Sequence, residues 1–91
     1  MKLTKINIYP VNRPGVAALA DIIVDGCFAV NELRITVAAG NGELHVQWPV
    51  SQHSYPSRVR YIACPITRDA QQELDAAILA EYQRRKNLRS P

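Results

Sequence analysis

Two short apolar runs, residues 16–24 and 27–30, flank the dipeptide Asp25-Gly26, and no other feature limits the fold as much. Asp-Gly between apolar runs is a strong local signal for a two-residue β-hairpin turn. The first run is apolar in both phases: Ala18, Ala20, Ile22 and Val24 alternate with Ala17, Leu19 and Ile23, and Asp21 is the one exception. Side chains alternate between the two faces of a strand, so this hairpin is expected to sit centrally and to need cover on both sides.

The remaining chain supplies the neighbours. Ile6 and Ile8 share one phase while Lys5, Asn7 and Tyr9 share the other, which predicts a half-buried first strand. Pro10 and Pro14-Gly15 are expected to interrupt it, with Pro-Gly at the centre of a type II turn. The third strand continues through Leu33, Ile35 and Val37, and Gly40-Asn41-Gly42 turns it into Leu44, Val46 and Trp48, a fourth, amphipathic strand. Residues 49–57 lack periodicity and read as a surface loop. Residues 58–63 read as a short fifth strand closed by Pro65. Thr67 is placed to cap a helix over about residues 68–86, with Asp69 in its first turn and Ala70, Leu74, Ala77, Ile78 and Tyr82 forming one stripe. The fold class is therefore α+β: an antiparallel meander of about five strands over residues 2–63, then one long C-terminal amphipathic helix, in a single domain spanning residues 1–91. One helix covers one face of such a sheet, so the apolar second face of the hairpin predicts a homodimer.

Composition narrows the function. The longest apolar stretches, residues 16–20 and 27–30, fall far short of the roughly 20 residues a membrane helix needs, so no membrane partner is expected. The start of the chain alternates polar with apolar residues instead of building a signal peptide, which points to the cytoplasm. Cys27 and Cys64 form no CxxC pair and are expected to be small buried hydrophobes without a disulfide. Cys64 with His45 or His53 has no motif that would position a nucleophile and its base, so no catalysis and no small-molecule substrate are expected. The same Cys and His residues with Cys27 lack metal-ligand spacing, and the Gly40-Asn41-Gly42 turn lacks the Lys and helix of a phosphate loop, so no cofactor is expected.

The formal charge of +3 is mild, but its distribution is uneven. Residues 16–43 carry Asp21, Asp25, Glu32 and Glu43 against Arg34, whereas residues 44–68 carry no acid but hold Arg58, Arg60 and Arg68. A basic tail, residues 84–91, adds Arg84, Arg85, Lys86 and Arg89. These seven cations are the candidate phosphate contacts. Arg84, Arg85 and Lys86 also suit a helix's negative end, and Arg58 and Arg60, two apart on a strand, would share a face that is either a contact surface or merely solvated. Trp48 and Tyr61 are candidates for base stacking, although Trp48 is in phase with the core residues Leu44 and Val46. Arg34, in phase with Glu32, is expected to be paired within the fold or the dimer.

The ordered motifs resemble the SpoVG family over about Leu3 to Tyr82. Val11-Asn12, Ala18-Leu19-Ala20-Asp21-Ile22, Asp25 with Phe28-Ala29-Val30, and Glu32-Leu33-Arg34-Ile35 are similar to successive family elements. Asn41-Gly42, Pro49, Arg60-Tyr61-Ile62-Ala63-Cys64-Pro65-Ile66 and Ala77-Ile78-Leu79-Ala80-Glu81-Tyr82 resemble the rest. The resemblance implies a small bacterial homodimer that binds DNA or RNA and regulates expression linked to septation and sporulation. The chain departs from the family where basic residues are usual. Val50-Ser51-Gln52-His53 stands in place of a Lys-Arg pair, Gln71, Gln72 and Glu73 replace bases at the helix start, Cys64 replaces a histidine, and the basic tail replaces the acidic one of some members. The expected function is thus a dimeric nucleic-acid-binding regulator acting through phosphate contacts. The alternative is a dimeric protein-interaction module that uses the 50–57 loop.

Overall fold

A computed structural model describes residues 2–53 and 58–89, with the side chains of residues 88 and 89 outside the description. Four strands, β1 (Leu3–Arg13), β2 (Val16–Val24), β3 (Phe28–Val37) and β4 (Leu44–Gln47), form an antiparallel sheet in sequence order, followed by one helix, α1 (Arg68–Arg89).

The turns follow from their residues. Asp25 and Gly26 both have positive φ, 53° and 68°, the pairing that matches the twist of a tight hairpin, and Cys27 N–H donates to the Val24 carbonyl at 3.1 Å. The same turn is tied to the chain start: Lys2 N–H donates to Asp25 Oδ1 at 2.9 Å and Gly26 N–H to Thr4 Oγ1 at 3.0 Å. Gly15 takes the positive φ that the Pro-Gly turn requires. At the third turn Asn41 Oδ1 accepts from Glu43 N–H at 2.9 Å. Pro10, by contrast, does not interrupt β1, which runs on to Arg13 with Pro10 opposite Ala18. β1 is an edge strand, and there the missing N–H can fall on the unpaired side.

Asp21, the polar exception in β2, has a definite task. Ala20 pairs with Leu33 and Ile22 with Val30, so β3 holds one extra residue opposite Asp21. The Asp21 carboxylate accepts the Glu32 N–H at 2.9 Å, and Glu32 sits at φ 63°, a left-handed conformation uncommon outside glycine. The bulge keeps both Val30 and Leu33 in the core although they are three residues apart.

That core joins Ile8, Ala18, Ala20, Ile22, Val24, Val30, Leu33 and Ile35 from one sheet face to Leu74 and Ile78 of α1, with Trp48 at its border. Thr67 caps the helix, its Oγ1 accepting from Ala70 N–H at 3.1 Å, and Asp69 lies in the first turn. The helix runs three residues past the expected end at 86. Trp48 is 6% exposed, and its indole Nε1 donates to Asp75 Oδ1 at 2.9 Å, fastening α1 to the end of β4. On the opposite face Ala17, Leu19 and Ile23 are half-buried within the single chain. Leu19 lies between Tyr9 and Arg34 in the register, and Ile23 lies opposite Lys5, so longer neighbours screen them in part.

Two further expectations need correction. Residues 58–63 do not form a continuous fifth strand: Tyr61 makes an isolated bridge to Val50, flanked by Ser51 N–H to the Arg60 carbonyl at 2.7 Å and Ile62 N–H to the Pro49 carbonyl at 2.8 Å, and Arg58 is likewise an isolated bridge position. A segment held at isolated bridges instead of along a ladder stays a connector, whatever its strand-like letters. Cys27 and Cys64 are both exposed, one just past a hairpin turn and the other on that connector, so neither serves the core.

Candidate nucleic-acid interface

The connector between β4 and α1 carries the first group of cations. Arg58, Arg60 and Arg68 are all exposed, and so are Val59, Tyr61, Ile62 and Ile66, at 61%, 50%, 72% and 94%. Tyr61 therefore keeps a ring face available for stacking, whereas the buried, hydrogen-bonded Trp48 does not. Arg58 and Arg60 lie outside any strand, so the two-residue spacing does not give them a common face as expected. Part of the 50–57 loop, residues 54–57, lies outside the described residues.

The second group sits at the far end of α1. Arg84 lies sixteen positions after Arg68, about 24 Å along the axis at ~1.5 Å per residue, so the helix holds the two groups apart. Arg84, Arg85 and Lys86 follow one another at ~100° steps and spread around the helix instead of sharing one face. Lys86 is exposed, and Arg89 ends the helix backbone with a side chain outside the described residues, as are Ser90 and Pro91 of the tail.

Glu81 shapes this end. Its carboxylate accepts Arg84 Nε at 2.9 Å and Arg84 Nη2 at 2.7 Å, a two-pronged contact, and also Arg85 Nε at 3.0 Å. The hydrogen bonds from Arg84, then those from Arg85, lower the Glu81 carboxyl from the usual 4.5 to about 2, and Glu81 in turn raises Arg84. Glu81 is missing from the candidates that the sequence suggests, yet its signal was present: an acid three and four residues before two arginines on one helix.

A third region was not foreseen. Arg13, Leu19, Arg34, Gln47, Gln52 and His53 line an open groove where the segment after β4 passes the sheet. Among the described residues no ion pair joins Arg34 to Glu32, because the bulge at Glu32 breaks the alternation that would have placed them side by side. His45 faces Glu43 at 3.8 Å with both side chains exposed, a surface contact. Among the described residues no three His, Cys, Asp or Glu side chains come together as a metal site, and no helix is long and apolar enough to cross a membrane.

Residues 1–84 match the family model named SpoVG. A SpoVG protein of Priestia megaterium, named for septation, is 36% identical over 85 residues, covering 92% of this chain and 85% of the relative. Its counterpart in Anaeromyxobacter sp. (strain K) is 31% identical over 84 residues, covering 92% and 80%. That of Myxococcus xanthus is 27% identical over 84 residues, covering 92% and 82%.

Proposed function

The chain belongs to the SpoVG family, and we propose that it acts as a small cytoplasmic, dimeric regulator that holds DNA or RNA through phosphate contacts. The observation that carries this reading is the connector, where Arg58, Arg60, Tyr61 and Arg68 are exposed together in a stretch, residues 44–68, that contains no acid. Guanidinium groups meet phosphate oxygens, an exposed aromatic ring stacks on bases, and neither contact reads sequence. The helix end with Arg84, Arg85, Lys86 and Arg89 supplies a second, separate set of phosphate contacts. Spaced cations of this kind track a backbone better than they clamp one group.

Dimerisation serves the same purpose, because it doubles the number of cations offered to one strand. Its support is the apolar surface that one chain leaves open: Phe28, 61% exposed on β3, and the connector residues Val59, Ile62 and Ile66. The outer edge of β3 adds to it, since β4 pairs only with residues 34–37 and, among the described residues, no ladder partner stands beside residues 28–33 on that side. The relatives' naming for septation supports cell division as the regulated process.

The test is a titration of fluorescently labelled DNA and RNA oligonucleotides at about 50 and 200 mM salt, with light scattering on the same samples. Neutralising Z phosphates gives log K a slope of about −0.9Z against log salt on duplex DNA, so affinity is expected to fall by orders of magnitude between the two conditions. A scattering mass of twice 10.2 kDa is expected. Absence of binding at the lower salt by a folded dimer would replace this reading with the protein-interaction module.

A further inference from the structure

Glu81 occupies the donor edges of two arginines that a phosphate would use. Arg84 presents Nε and Nη2 to it as a fork, at 2.9 and 2.7 Å, the geometry with which a guanidinium binds a carboxylate or a phosphate. Arg85 Nε reaches the same carboxylate at 3.0 Å. Side-chain exposure is 58% for Arg84 and 42% for Arg85 but only 19% for Glu81, so the carboxylate lies beneath the two cations. The cluster of three charges thereby carries a net charge of about one.

We infer that Glu81 is an internal stand-in for phosphate, which masks Arg84 and Arg85 until a nucleic-acid phosphodiester takes its place. The inference rests on the nucleic-acid reading above and adds its regulation. Exchange is accessible because ion pairs this exposed hold weakly in water. A phosphodiester arriving at Arg84 accepts the same two N–H groups, and no bond other than hydrogen bonds changes. The mask acts on affinity without reading sequence, and it keeps a basic helix end from gathering anions indiscriminately.

The experiment compares wild type, Glu81→Gln and Glu73→Gln in the oligonucleotide titration, with circular dichroism to confirm the helix in each. Glu73 is exposed on the same helix two turns earlier, so its replacement makes the same change in net charge without touching the arginine fork. Glu81→Gln is expected to bind about two- to tenfold tighter at low salt, with a slope against log salt steeper by about one, and Glu73→Gln to stay close to wild type. In wild type, adding oligonucleotide is expected to move the Arg84 and Arg85 Nε–H resonances. Equal tightening by both variants would reduce Glu81 to a contribution to net charge and overturn the inference. So would Glu81→Gln binding no tighter than wild type, or unmoved Nε–H resonances in saturated wild type. In each of these cases the nucleic-acid reading survives, because wild type still binds. If wild type and Glu81→Gln both fail to bind at low salt, the nucleic-acid reading itself falls and takes the mask with it.

Discussion

The β2–β3 hairpin and the connector between β4 and α1 are both rich in apolar residues, and they end in opposite environments. In the hairpin, Ala18, Ala20, Ile22, Leu33 and Ile35 are almost completely buried, whereas in the connector Val59, Tyr61, Ile62 and Ile66 are half or more exposed. The difference is backbone pairing. β2 has ladder partners on both sides and β3 pairs with it over residues 28–36, which locks alternate side chains onto the helix-covered face, whereas the described pairing of the connector is confined to isolated bridges such as Tyr61 to Val50. Hydrophobicity selects what benefits from burial; pairing decides what achieves it. The open apolar surface and the cations that accompany it are then presented to partners.

The sharpest way to break this contrast is to place a charge where burial is complete. Ile78 is fully buried under the sheet, and Ile78→Asp should unfold the chain, since an unpaired buried carboxylate costs several kcal/mol against a total of ~5 to 15. Gln72→Asp on the exposed side should leave the melt unchanged, and identical circular-dichroism melts would show the helix face to be misassigned.

The next largest effect is expected at the fastener between the two layers. Asp75→Ala leaves the indole N–H of Trp48 without its acceptor and should cost about 1–3 kcal/mol in chemical denaturation. A loss within error would mean that water replaces the carboxylate freely.

On the connector, Ile62→Ser with Ile66→Ser should leave single-chain stability within about 0.5 kcal/mol while lowering the scattering mass toward 10.2 kDa. Unchanged mass with unchanged stability would remove the connector from the dimer surface and leave the β3 edge as its site.

The smallest effect is one of pH. The Glu81 carboxyl is lowered from 4.5 to about 2 in the fold, so its stabilising contribution is complete above about 4.5 and is lost as the pH falls toward 2. The last turns of α1 should therefore lose helix signal over that window at low salt, and Glu81→Gln should show no such component.

How much of this was legible in the residues follows the same division. Asp25-Gly26, the Ala18 to Val24 alternation, Thr67 and the Leu74/Ile78 stripe announce their structures because turn chemistry and periodicity are local. Asp21 looked like a flaw in an apolar run, since its role, holding the Glu32 N–H, exists only once β2 and β3 are in register. Asp75 was silent for the same reason, its partner Trp48 lying 27 residues away. Residues 58–63 carried strand-like letters, but whether a partner strand stands open beside them is settled by the rest of the sheet. Of the candidate cations, the exposure of Arg58, Arg60, Arg68, Arg84 and Lys86 was legible, but the separation of the two groups along the helix and the Glu81 clasp depend on geometry. Arg13 and Arg34 entered the groove through the fold alone.

The central claim, that the basic helix end contacts phosphates, is tested most directly by the salt dependence of Arg84→Ala/Arg85→Ala/Lys86→Ala against wild type. If these residues meet phosphates, the triple variant binds unrelated sequences more weakly by a similar factor, and its slope of log K against log salt flattens on duplex DNA by about 0.9 for each phosphate that is no longer neutralised. An unchanged affinity with an unchanged slope would contradict the claim and leave these cations as no more than a complement to the helix's negative end.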